Sequence, residues 1–150
     1  MKSTNSRNVK TVRVISIALG YVLLLAAASQ AQCSNRTLSG NYSFTVEGQI
    51  LGVGPVNGVA ETHFDGAGNL TQVDFVVHAG VLPPGWRPGT GSYSVNSDCT
   101  GSALIVPLNA PVLNLRFVVL KNGNEIRTVV ANPGTQINSI GVRGSDDEED

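Results

Sequence analysis

From Val112 to Leu120 the side chains alternate: Leu113, Leu115, Phe117 and Val119 fall on one face, Asn114 and Arg116 on the other. A period of two is the signature of a strand with one buried face. The pattern recurs in short runs after residue 31, between clusters of Gly, Asn, Asp and Pro. No run there keeps apolar residues at helical spacing over three turns, so the chain reads as all-β.

Eight strands are expected: Tyr42 to Gly48, Gly58 to Asp65, Leu70 to His78, Gly91 to Val95, Ser102 to Val106, Val112 to Leu120, Glu125 to Ala131 and Thr135 to Arg143. Asn122-Gly123 signals a two-residue hairpin between the sixth and seventh. Eight short antiparallel strands in sequence suit a closed up-and-down barrel, which removes both sheet edges. Connections then alternate between two ends. One end takes the compact turns 65–69, 96–101 and 121–124. The other takes 49–57, 79–90, 107–111 and 132–134, with all seven prolines.

The two cysteines allow one pairing, Cys33 with Cys99. Cys33 precedes the first strand and Cys99 lies between the fourth and fifth, so both fall at the compact-turn end. A bridge closing so long a loop stabilises the fold by about 4 kcal/mol in the chain-entropy model. It also requires an oxidising compartment.

The N-terminus agrees with export. Lys2, Arg7, Lys10 and Arg13 precede an apolar run, Val14 to Ala28, and Ser29-Gln30-Ala31 offers small residues for cleavage. Residues 1–31 read as a signal peptide, too short in its apolar part for a spanning helix. That leaves a domain over 32–144 and an acidic tail, 145–150, read as disordered. The location expected is secreted or periplasmic, with no stable membrane span after cleavage.

Charged residues make up 14% of the chain, against about a quarter in globular proteins generally. This excludes a coiled coil and a highly charged disordered protein. Residues 32–144 hold six basic and six acidic side chains. Such a neutral body has nothing to attract nucleic acid.

Candidate sites are few. His63 is expected opposite Gln72, and His78 about 20 Å from that position along the third strand, so the two share no metal. Glu61 and Asp74 come out nearly opposite each other. Paired carboxylates can divide acid and base roles, but the apolar Val73, Phe75 and Val77 assign Asp74 and Gln72 to the outer face. The glycine pairs lack the third glycine and helix of a nucleotide cradle, and no cofactor is implied. There is no Gly-x-Ser-x-Gly elbow, and no catalytic residue is assigned. The proline-rich connection 79–90 carries the single Trp, Trp86. It either plugs the open end of the core or covers an apolar ligand there.

Two stretches, Phe64-Asp65-Gly66-Ala67-Gly68-Asn69-Leu70 and Gly91-Ser92-Tyr93-Ser94-Val95-Asn96-Ser97-Asp98-Cys99-Thr100-Gly101, resemble turns of small exported bacterial β-proteins of unassigned function. The meander is also similar to calycin and allene oxide cyclase-type barrels, a resemblance that implies an interior holding apolar small molecules. The lipocalin G-x-W opening is missing, since Gly40-Asn41-Tyr42 has Tyr in third place.

The expected function is binding of a small apolar ligand at the proline-rich end, lined or capped by Trp86, Tyr42, Phe44, Phe75, Leu115 and Phe117. The alternatives are a non-catalytic envelope or surface-interaction module with a solid barrel, and a barrel-type cyclase or isomerase using Glu61 and Asp74. Mature protein alkylated without reductant is expected to show no free thiol by mass spectrometry; two modified cysteines would refute the Cys33–Cys99 bridge.

Overall fold

The computed structural model describes residues 32–144, so the proposed signal peptide and acidic tail lie outside the described residues. Eight antiparallel strands close into an up-and-down barrel, each paired with its sequence neighbours and the last with the first. They are β1 (Ser39–Ile50), β2 (Gly54–Asp65), β3 (Asn69–His78), β4 (Arg87–Val95), β5 (Thr100–Pro107), β6 (Leu113–Leu120), β7 (Glu125–Val130) and β8 (Thr135–Arg143). The seam runs from Tyr42 opposite Arg143 to Ile50 opposite Thr135. On β1, Tyr42, Phe44 and Val46 point inward and the polar residues 41, 43, 45 and 47 outward.

Several strands are longer than the alternation indicated. β1 and β2 continue to a turn at Leu51–Val53. β4 begins at Arg87, which shortens the connection from β3 to residues 79–86. Pro55, Pro88 and Pro107 therefore sit in strand ends, where the ladder spares a donor, and all seven prolines remain at one end. The turn between β6 and β7 spans 121–124 as expected, with Leu120 paired to Glu125, but it is a four-residue turn rather than a two-residue Asn122-Gly123 hairpin, and Lys121 and Asn122 both take positive φ. The Gly123 carbonyl in that turn accepts from the Tyr42 hydroxyl and from Arg143.

The compact-turn end is stoppered. Cys33 and Cys99 are joined, with Cα atoms 5.0 Å apart, and a short 3₁₀ turn, Asn35–Thr37, carries Leu38 into the barrel, where it is fully buried. Asn35 Oδ1 accepts the Val95 N–H at 2.8 Å, the Tyr93 hydroxyl donates to the Leu38 carbonyl at 2.8 Å, and Arg143 donates to the Thr37 carbonyl at 2.9 Å. Beneath Leu38, Tyr42, Phe64 and Tyr93 meet edge to face, with centroids 5.3 and 4.9 Å apart. Burial raises the Tyr42 phenol above its usual pKa against the opposing pull of Arg143, so it remains a neutral donor at physiological pH.

Two glycines set the shape of the interior. The Phe117 ring lies against Gly101 across the β5–β6 pair, and the Phe44 ring against Gly141 across the β1–β8 pair. A Cβ at Gly101 would stand 2.2 Å from the Phe117 ring, and one at Gly141 2.3 Å from Phe44. The missing side chains let both rings lie flat on the wall instead of filling the centre.

The β2–β3 turn is organised by one carboxylate. Asp65 Oδ1 accepts the N–H groups of Ala67, Gly68 and Asn69 at 2.7 to 2.9 Å, and Oδ2 accepts from the Asn69 amide. These bonds lower its pKa to about 2. Since the folded value lies below the unfolded one near 3.9, the stabilisation is present above about pH 4 and is lost as pH falls toward 2. Asp65→Ala is expected to lower the urea midpoint at pH 7, and the gap to wild type is expected to close between pH 4 and 2. A gap independent of pH would rule this account out.

Candidate functional site

Beyond the stopper, the proline-rich half of the barrel holds only a smaller buried cluster, Val56, Val130 and Ile137. A cavity of about 360 Å³ occupies that half, within the range of small-molecule sites. Phe64, Leu70, Phe117 and Ile126 form its floor, and Pro107, Pro111 and Pro133 stand at the proline-rich mouth. The mouth loop 131–134 is pinned: Asn132 accepts the Asn114 N–H at 2.7 Å and donates to the Val112 carbonyl at 2.9 Å.

Of the six residues expected at the site, Phe44, Leu115 and Phe117 line the cavity. Tyr42 is buried in the stoppered end. Phe75 and Trp86 are corrections of a different kind, because they lie outside. The Trp86 ring packs on Phe75 with centroids 5.7 Å apart and is 61% exposed, so it neither plugs nor caps the cavity.

The cause is a register one residue from that expected. Phe64 pairs with Leu70, placing His63 opposite Thr71 and Thr62 opposite Gln72. A slip of one turns every side chain to the other face. Gln72, Asp74 and His78 therefore line the cavity, while Val73 is exposed and Phe75 is left for Trp86 to cover. The outer-face assignment of Gln72 and Asp74 is overturned.

What makes the inward carboxylate tolerable is its partner, missed in the sequence because Arg87 was assigned to a loop. Arg87 begins β4 directly opposite Asp74. Its Nε and Nη2 donate to the two Asp74 oxygens at 3.0 and 3.1 Å, and Gln72 Nε2 donates at 3.0 Å. The Asp74 side chain is 5% exposed and that of Arg87 28%. A buried carboxylate needs such bonds on both oxygens.

Glu61 is exposed on the outer face, opposite Val73, so the two carboxylates do not share a site. Both Asp74 oxygens are engaged by Arg87 and Gln72. His63 faces outward, bonded through Nδ1 to Asn41 at 2.8 Å, whereas His78 lines the cavity, so the histidines stand on opposite faces of the wall. Among the described residues no group of three His, Cys, Asp or Glu side chains converges. No family model, curated protein or solved structure matches this chain.

Removing one partner of the ion pair leaves the other charge unsatisfied in the wall. Asp74→Ala is expected to cost about 3 kcal/mol, the lower end for such pairs, because Arg87 reaches solvent in part. The double substitution Asp74→Leu with Arg87→Met is expected to stay within about 1 kcal/mol of wild type, and Glu61→Ala within about 0.5 kcal/mol. Urea denaturation checks all three; equal losses for Asp74→Ala and Glu61→Ala would contradict the inward placement.

Proposed function

We propose that this chain is an exported, non-catalytic carrier that binds a small apolar molecule through the proline-rich end of its barrel. The single observation that carries the reading is the cavity of about 360 Å³, walled by residues such as Ile105, Leu115 and Val130. A cavity of this size in an apolar wall costs stability, and a ligand that fills it recovers part of that loss. The cavity counts against the solid-barrel alternative. The occupied Asp74 carboxylate and the outward Glu61 count against the cyclase or isomerase alternative.

The polar group on one wall specifies the ligand further. An Arg87–Asp74 pair is neutral as a unit, and the part-exposed guanidinium can offer hydrogen bonds to an oxygen. The ligand proposed is mostly hydrocarbon with one oxygen-bearing polar group. Export is supported by the basic start and apolar run of residues 1–31 and by the Cys33–Cys99 bridge, and the likeness of the two turns to exported bacterial proteins points the same way.

Native mass spectrometry of protein purified from its own host is expected to show a bound small molecule that organic extraction removes. A fluorescent fatty probe is expected to compete with it. Leu115→Trp, which projects bulk into the cavity, is expected to weaken probe binding at least tenfold with the fold retained by circular dichroism, whereas Trp86→Ala, outside the cavity, leaves it unchanged. Probe binding indifferent to Leu115→Trp would overturn the proposal.

A further inference from the structure

The two ends of the barrel differ in a way that the cavity does not require. At the stoppered end the turns hold Asp65, Asp98, Lys121 and Glu125, with Arg36 and Arg143 beside them. At the mouth, none of residues 51–53, 79–86, 108–112 and 131–134 is charged or a histidine. The nearest basic group, Arg87, is held by Asp74 inside the wall, and His78 is half-buried and faces the cavity.

The same mouth loops expose large apolar side chains. Leu51 and Val53 project from the β1–β2 turn, Val81, Leu82 and Trp86 from the β3–β4 connection, and Leu108 from the β5–β6 connection, all 55% to 70% exposed. Solvent-facing apolar clusters of this kind mark a contact surface. The connection carrying three of them is constrained in shape: His78 and Val81 close a tight turn by exchanging backbone hydrogen bonds at 3.2 and 2.8 Å, and Pro83-Pro84 follows.

We propose that this rim docks on the surface of a zwitterionic lipid bilayer, with the cavity mouth facing the membrane. The absence of charge from all four loops removes any means of selecting anionic lipid or a charged partner. The apolar groups stand on separate loops around an opening rather than on one flat patch, with Trp86 at the foot of its connection against Phe75 on the outer wall. A deformable interface accepts such a crown, whereas a protein partner would need a matching depression for each loop. Tryptophan belongs at the headgroup level, where its ring is apolar on its body and polar at its N–H. The inference goes beyond ligand binding and stands on the rim alone, but it also names a source: an apolar molecule could pass between bilayer and cavity without crossing water.

The single Trp of the chain lies at the foot of the β3–β4 connection, one residue before β4, and reports on contact with the connection that carries Val81 and Leu82. With the full chain and phosphatidylcholine vesicles, Trp86 emission is expected to shift to the blue and to be quenched at least twofold by brominated acyl chains, with no loss in about 0.5 M NaCl, where surface electrostatics are screened. Val81→Asp with Leu82→Asp, both at exposed positions, is expected to return quenching to the level without lipid. Leu115→Trp is unsuited here because it adds a second indole; Leu115→Phe, which narrows the cavity, is expected to leave Trp86 quenching intact, separating failure of docking from failure of the cavity reading. Trp86 emission unchanged by vesicles overturns the proposal. So does a shift seen only with anionic vesicles and reversed by salt, or one seen only with envelope proteins in place of lipid.

Discussion

The segment from Cys33 to Leu38 closes one end of the barrel, and the character of the other end follows from that closure. The bulk is concentrated: Leu38, Tyr42, Phe64 and Tyr93 pack at the stoppered end, and Arg143 lies 5.2 Å from the centroid of the Tyr42 ring. The disulfide holds the stopper in place by fixing its first residue to the β4–β5 turn. With apolar packing concentrated there, the barrel tolerates a void at its other end.

A second constraint operates inside the wall. The Asp74–Arg87 pair lies across the β3–β4 ladder, with Gln72 completing the set of donors. The pair favours one register over its neighbours, because a one-residue slip would send the carboxylate to water and strand the guanidinium. Such register specification is the best-attested use of a buried polar group. It comes with Phe75 on the outside, which explains why the only tryptophan packs there instead of over the mouth.

Strand number, up-and-down order and the disulfide were legible in the sequence because each rests on a local signal: alternation within a strand, turn residues between strands, and a cysteine count with one solution. The β3 face was not. Val73, Phe75 and Val77 make a better apolar stripe than Leu70, Gln72, Asp74 and Val76, and the deciding partner of Asp74 is 13 residues away. Strand ends were also hidden, since Pro88 and Gly89 look like loop residues yet pair with Val73 and Gln72. Phe44, Leu115 and Phe117 were recognisable as inward residues. That two of them would lie flat depends on Gly101 and Gly141 in neighbouring strands, a cross-strand match that no single-segment pattern reveals.

An even number of strands brings both ends of the described chain to the same pole. Ser39 starts opposite Asp65, and the Gly144 N–H donates to the Asn41 carbonyl at 2.9 Å. Both ends therefore leave the barrel at the stopper, about as far from the mouth as the strands are long. A tether, a fusion partner or a surface joined directly at residue 32 or 144 would meet the barrel from behind. Immobilised molecules would share one polarity, with the cavity mouth turned toward the solution.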